Sequence, residues 1–294
     1  MEKNVKPVFP QELFDSIVDE FRPRGDDSDS AVRDFRRTLQ SCALVCNSFR
    51  LRAHRHLFER VGFGSVPEHI SKTSIPRQIK GIQLLYPLLK ADPYLTSCIR
   101  SLTINIHHGA TVTEPHVLLA EVLEILYESM LQSRGLVELI LRSGVTSSDS
   151  MPWQHISMPA QVSLLQLIHG PKTTLEKLSL TNFTGLPLDM FARCRTVKTL
   201  LLTRVKIDGP VADETQAVAI SLSQNRLHSL RELVWVNGQP LDKFFRDLST
   251  VLSIKALTCG LQILRILGSV PVQGGGVLER ILEWSADSLR NLTM

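Results

Sequence analysis

Seven segments of the chain carry one phrase: a small residue, an apolar one, two variable positions, then apolar, variable, apolar. They are Cys98–Ile104, Gly135–Leu141, Thr174–Leu180, Thr196–Leu202, Ser229–Trp235, Gly260–Ile266 and Ser288–Met294. The closing triplet has the period of a short strand with one apolar face. A strand that short cannot bury its apolar edge alone, so copies must stack, and stacked strand units make a solenoid. The extended phrase is more specific than its triplet, which a chain that is 43% hydrophobic produces by chance.

The central leucines stand at 102, 139, 178, 200, 233, 264 and 292, at intervals of 37, 39, 22, 33, 31 and 28 residues. Each interval has room for a helix, and several exceed the roughly 20–29 residues of leucine-rich repeats. Helical spacing is legible at Val117, Leu118, Glu121, Val122, Ile125, Leu126, Ser129 and Met130, at Val162, Leu165 and Ile168, and at Leu241, Phe244, Phe245, Leu248, Val251 and Leu252. Pro115, Pro159 and Pro240 sit near helix starts, where a missing N–H costs nothing. Val277, Ile281, Leu282 and Trp284 predict a last helix. The competing fold is an ordinary α/β domain with alternating strands and helices. In a regular leucine-rich repeat, Asn or Cys stands three residues after the last strand apolar. Here that position holds His107, Gly144, Phe183, Val205, Gly238 and Ser269, so the repeats are degenerate.

The 294 residues suffice for a sizeable core and more than one domain, and the charge of +4, from 33 basic and 29 acidic residues, demands no nucleic-acid partner. Five cysteines without a disulfide rhythm read as thiols of a cytoplasmic or nuclear protein. Residues 1–10 carry no signal-peptide core, and no stretch approaches the ~18 apolar residues of a membrane span.

The first sixty residues are a different object. Pro10, Gln11 and Glu12 suit a helix start, with Leu13, Ile17 and either Phe14 or Phe21 as its apolar stripe. A polar stretch, Arg22 to Ser30, precedes a second helix over about 33–49 bearing Leu39, Ala43 and Cys46, and a short third helix leads into Leu57-Phe58. The residues Pro10, Glu12, Leu13 and Ile17, followed by the run Leu44-Val45-Cys46-Asn47-Ser48-Phe49 and Leu57-Phe58, resemble an F-box of the fungal type over about residues 8–60. The resemblance implies docking on a small Skp-type adaptor and through it on a cullin-based ubiquitin ligase, with C-terminal repeats holding a protein substrate. The expected adaptor contacts are Pro10, Leu13, Ile17, Leu44, Val45, Phe49, Leu57 and Phe58. A bundle of about fifty residues is marginal alone, so some of these must serve as its own core.

The resulting expectation is an α/β chain: an N-terminal three-helix F-box over residues 1–60, then a degenerate leucine-rich-repeat solenoid with a curved parallel sheet over 61–294, with no C-terminal cap legible. Alternation at Leu57, Glu59, Val61 and Phe63 predicts the first strand, with a helix over 77–90 carrying Ile79, Ile82, Leu85, Leu88 and Leu89. That would fuse the two parts rigidly, with Gly62 to Ser74 as the only soft segment. The concave face is expected at Thr103, Asn105, Ile140, Arg142, Ser179, Thr181, Leu201, Thr203, Val234, Val236, Arg265, Leu267 and Thr293. Substrate contact is expected at Asn105, Ile140, Arg142, Thr181, Leu201, Val234, Val236, Arg265 and Leu267, since contiguous exposed apolar surface marks partner sites.

No enzyme signature appears. His107-His108 lack further metal ligands, Cys42 and Cys46 lack a second pair and read as core thiols, and Asp26, Asp27 and Asp29 lack the rest of a calcium loop. Gly274-Gly275-Gly276 lacks the Lys of a phosphate loop, and the basic run Arg50, Arg52, His54, Arg55, His56 lacks interleaved aromatics. The expected protein is a non-catalytic substrate receptor without cofactor or metal, and with no nucleic-acid or membrane partner. The alternative is an interaction scaffold whose F-box-like start only completes the fold.

Overall fold

The computed structural model describes residues 11–20, 29–63, 75–106, 113–130, 135–143, 150–171, 173–187, 190–191, 194–207, 230–237, 260–268 and 276–294. Three helices come first: α1 (Gln11–Glu20), α2 (Asp29–Val45) and α3 (Asn47–Leu57). The helix expected over 33–49 starts earlier and breaks at Cys46, whose extended backbone (φ −160°, ψ 170°) separates α2 from α3. Among the described residues, the fully buried core of this bundle is Val18, Leu39 and Ala53, with Phe35, Cys42, Ala43, Phe49 and Leu57 packed against it.

After α3 come β1 (Arg60–Phe63), α4 (Ile75–Ala91), α5 (Pro93–Cys98), β2 (Ser101–Ile106), α6 (Thr113–Met130), β3 (Glu138–Ser143), β4 (Met151–Pro152), α7 (Met158–His169), β5 (Lys177–Thr181), β6 (Phe183–Thr184), β7 (Thr199–Thr203), β8 (Glu232–Val236), β9 (Ile263–Leu267), α8 (Gly276–Ser285) and β10 (Asn291–Thr293). Eight of the strands form one parallel sheet in the order β1-β2-β3-β5-β7-β8-β9-β10, so the strands of all seven phrases lie side by side in chain order. The helix expected over 241–252 lies outside the described residues.

The phrase is a register. Leu102, Leu139, Leu178, Leu200, Leu233, Leu264 and Leu292 are Cα partners from strand to strand, and so are Ile104, Leu141, Leu180, Leu202, Trp235 and Ile266. Both rows are buried except at the edge, where Leu292 is 42% exposed. Before each strand the backbone repeats one contact: two successive N–H groups donate to a single carbonyl of the preceding unit. Arg100 and Ser101 use Glu59 O, Val137 and Glu138 use Arg100 O, and the pattern continues to Arg290 and Asn291 on Gln262 O.

This packing explains the small opening residue. Thr174 Oγ1 donates to Leu136 O (3.0 Å), Thr196 Oγ1 to Leu175 O (2.7 Å) and Ser288 Oγ to Leu261 O (2.8 Å). At Gly135 a Cβ would lie 2.5 Å from Met130 Cγ and 2.8 Å from Thr174 Oγ1, so nothing larger fits without displacement. Strands end in a left-handed residue: Asn182 (φ 62°), Arg204 (φ 52°), Asn237 (φ 46°) and Gly268 (φ 109°) follow β5, β7, β8 and β9. Asn tolerates that conformation, which accounts for Asn182 and Asn237. One residue further on, Phe183 and Val205 are fully buried, filling with apolar volume the position where a regular repeat has an amide.

The bundle joins the sheet through several contacts. Phe58 packs on the large core, Tyr94 Oη donates to Leu51 O at 3.2 Å, and β1 pairs with β2 three residues after α3 ends. The α5 turn was not evident in the sequence. Asp92 caps it, accepting from Tyr94 N at 3.0 Å, with Pro93 at its first position.

Candidate functional site

The site begins with α1. Asp19 accepts Arg52 Nε on Oδ1 at 2.7 Å and Arg52 Nη2 on Oδ2, and its Oδ1 lies 2.6 Å from His56 Nε2. Asp15 lies 3.9 Å from Arg52 as well. The Arg52 guanidinium, helped by His56 and opposed by partial burial, holds the Asp19 carboxyl down at about 2. Asp15 and Asp19, one turn apart, therefore face α3. Leu13 and Ile17 form the stripe about 200° around the helix at 3.6 residues per turn. They point away from α3 and are 50% and 49% exposed. Val18 of the same helix is fully buried in the bundle core, while Glu12 and Glu20 are exposed.

A second exposed apolar pair lies on α2. Leu44 and Val45, at the end of α2, are 88% and 69% exposed. Gln11 Nε2 donates to Ser48 O at 3.2 Å, which ties the first turn of α1 to the start of α3. Leu51, on α3, is exposed too and was not among the expected contacts. Leu13, Ile17, Leu44, Val45 and Leu51 are five exposed aliphatic side chains on the bundle, and exposed apolar surface marks partner sites where it is contiguous. The remaining expected adaptor contacts divide otherwise. Phe49 and Leu57 pack against the bundle core and Phe58 against the large core, because three short helices need them there. Pro10 lies outside the described residues.

The open face of the sheet is the second candidate surface. Thr103, Ile140, Ser179, Leu201, Val234, Arg265 and Thr293 are mutual partners across the strands, and Asn105, Arg142, Thr181, Thr203, Val236 and Leu267 make the next row. Leu201 and Val234 adjoin, as do Val236 and Leu267, giving a half-exposed apolar block toward β9. Arg142 and Arg265 are exposed. Asn105 departs from the expectation: it is 5% exposed and its Nδ2 donates to Phe63 O at 3.1 Å, tying β2 to the end of β1. Ser179 is also buried, separating Ile140 from the apolar block.

At the entry end of the same face, polar side chains pair across strands. Ser101 Oγ donates to Glu138 Oε2 at 2.6 Å, Lys177 Nζ lies 2.7 Å from Glu138 Oε1, and Thr199 Oγ1 donates to Glu232. Burial raises the Glu138 carboxyl, but its Lys177 and Ser101 hydrogen bonds outweigh this and leave it lowered. These pairs fix register along one margin and leave the apolar block as the unpaired part of the face.

Other candidates resolve simply. Cys46 is exposed at the helix break rather than in the core, while Cys98 is buried and burial pushes its thiol up, which suppresses nucleophilicity. His107, His108, Asp26 and Asp27 lie outside the described residues. Among the described residues no group of three or more His, Cys, Asp or Glu could hold a metal ion, and no helix is long and apolar enough to cross a membrane. No protein-family model matches the chain, and no curated protein matches it significantly.

Proposed function

We propose that the chain is the substrate-receptor subunit of a cullin-based ubiquitin ligase, with an N-terminal F-box and a degenerate leucine-rich-repeat solenoid. The F-box docks on a Skp-type adaptor through Leu13, Ile17, Leu44 and Val45. The open face of the sheet, centred on Leu201, Val234, Val236 and Leu267, holds a protein substrate. The protein performs no chemistry itself; it fixes the distance between cargo and the ubiquitin carrier.

The observation that carries this reading is the half-exposed Leu13–Ile17 stripe of α1, a helix held to the bundle by Val18 and by the pairing of Asp19 with Arg52 and His56. Covering an aliphatic side chain contributes about 1.5–3 kcal/mol when burial is complete, so a partner that seats on this surface recovers what the bundle leaves exposed. The chain-order parallel sheet supports the solenoid half, because a linear stack presents a long surface of one kind. The joint at Phe58 and Tyr94 supports a rigid arm.

Capture of the full chain by a purified Skp-type adaptor tests the proposal. Wild type binds and the Leu13→Asp/Ile17→Asp variant does not, while both melt alike. Equal failure of both proteins to bind supports the second reading, a scaffold in which the bundle completes the fold.

A further inference from the structure

On the helical side of the molecule, α4, α5 and α6 line a cleft of about 430 Å³. Leu89, 1% exposed, lies at its base, and Pro93 and Ile125 extend the apolar lining. Its α6 wall carries Glu121, Glu124 and Glu128 at i, i+3 and i+7, a stripe of about 10 Å at 1.5 Å per residue. None of the three has an ion-pair partner among the described residues, and they form no metal-binding group. Lys90, on the opposite wall, is held on its own helix, 3.5 Å from Tyr86 Oη and 5.6 Å from the ring centroid.

This arrangement is costly for the chain alone. Like charges at i,i+3 and i,i+4 destabilise a helix by a few tenths of a kcal/mol per pair. Glu128 stands in the last turn of α6, where the helix dipole disfavours an anion and where no basic residue compensates. A cationic partner removes both penalties, whereas nucleic acid and anionic membrane carry the wrong sign. We infer that the cleft between α4, α5 and α6 is a docking groove for a basic amphipathic helix of another protein. Its lysines or arginines, spaced at i, i+3 or i+4 and i+7, would pair with Glu121, Glu124 and Glu128, and its apolar residue would fill the lining at Leu89, Pro93 and Ile125. The inference does not depend on the ligase reading.

The test is fluorescence anisotropy with the full chain and a labelled synthetic helix of leucines and lysines at this spacing, beside a version with glutamate for lysine. The lysine peptide is expected to bind in low salt, and the glutamate peptide is not. Glu121→Gln/Glu124→Gln/Glu128→Gln weakens binding about tenfold, the size three partly exposed ion pairs supply together, and Lys90→Gln strengthens it. Glu279→Gln/Glu283→Gln, on α8, leaves it unchanged. Binding unaltered by the triple substitution, or lowered as much by the α8 pair, overturns the groove. If the triple variant does not fold, the Lys90→Gln result decides: stronger binding supports the groove and unchanged binding overturns it. Adaptor capture measured on the same proteins is expected to stay at the wild-type level, which keeps this result separate from the ligase question.

Discussion

Arg52 on α3 grips Asp19 on α1 side-on, its Nε donating to Oδ1 at 2.7 Å and its Nη2 to the other carboxylate oxygen. That grip, together with the burial of Val18 in the bundle core, holds α1 with Leu13 and Ile17 half-exposed. The Asp19 carboxyl is lowered from 3.8 to about 2, chiefly by Arg52. A lowered folded-state value means that the pair's stabilisation is complete above pH 3.8 and is lost as pH falls toward about 2. Partial exposure screens the pair and keeps the gain small. Asp19→Asn is therefore expected to flatten the acid limb of bundle stability over that window and to weaken adaptor capture at neutral pH. Helical content followed by circular dichroism against pH checks the first part; an unchanged acid limb contradicts it.

The hydroxyl ladder at the phrase openings predicts a modest, local cost. Thr174→Val keeps the shape but leaves Leu136 O without its 3.0 Å donor, at about 1 kcal/mol. Gly135→Val forces a side chain against Met130 and Thr174, at about 1–3 kcal/mol. Urea unfolding of both variants measures these losses, and a neutral Gly135→Val would show that the close approach is relaxed in solution.

Position along the stack predicts a contrast between identical substitutions. Leu180→Ala empties a fully buried site and is expected to cost about 2–5 kcal/mol. Leu292→Ala, in the edge rung with 42% exposure, is expected to cost about 1 kcal/mol or less, because much of that side chain is already in water. Similar midpoints for the two variants in denaturant would contradict the stacking order.

Much of the sheet was legible because the phrase encodes register directly: each central leucine pairs with the next one, so reading the sequence in rows reads the sheet in rows. Helix faces were less legible. On α7, Leu164, Leu167 and Ile168 turn inward while Val162 is exposed, since a helix rich in aliphatics offers more than one plausible stripe. The pair β4–β6 and the α5 turn escaped notice because two-residue strands and one-turn helices have no periodicity to detect. Asn105 read as a surface residue from alternation alone; its buried side chain donates to the carbonyl of Phe63, a partner that alternation does not reveal. The pairing of Asp19 with Arg52 and His56 was invisible too, because it joins residues more than thirty positions apart.

The exposed thiol at the helix break supplies a reporter for the docking surface. Cys46 follows Leu44 and Val45 and is exposed, whereas Cys98 and Cys194 are buried. Maleimide labelling followed by peptide mass spectrometry is expected to modify Cys46 first and to slow several-fold when a Skp-type adaptor is bound. Labelling at an unchanged rate in the complex would place the adaptor elsewhere.

The affinity of the full chain for a purified Skp-type adaptor, compared with that of Leu13→Asp/Ile17→Asp, tests the account most directly. Buried anchor side chains cost about 2 kcal/mol or more each when lost from an interface. The variant should therefore bind about a thousandfold more weakly, with an unfolding midpoint matching wild type. Wild-type affinity in that variant would contradict the account, whatever the sheet holds.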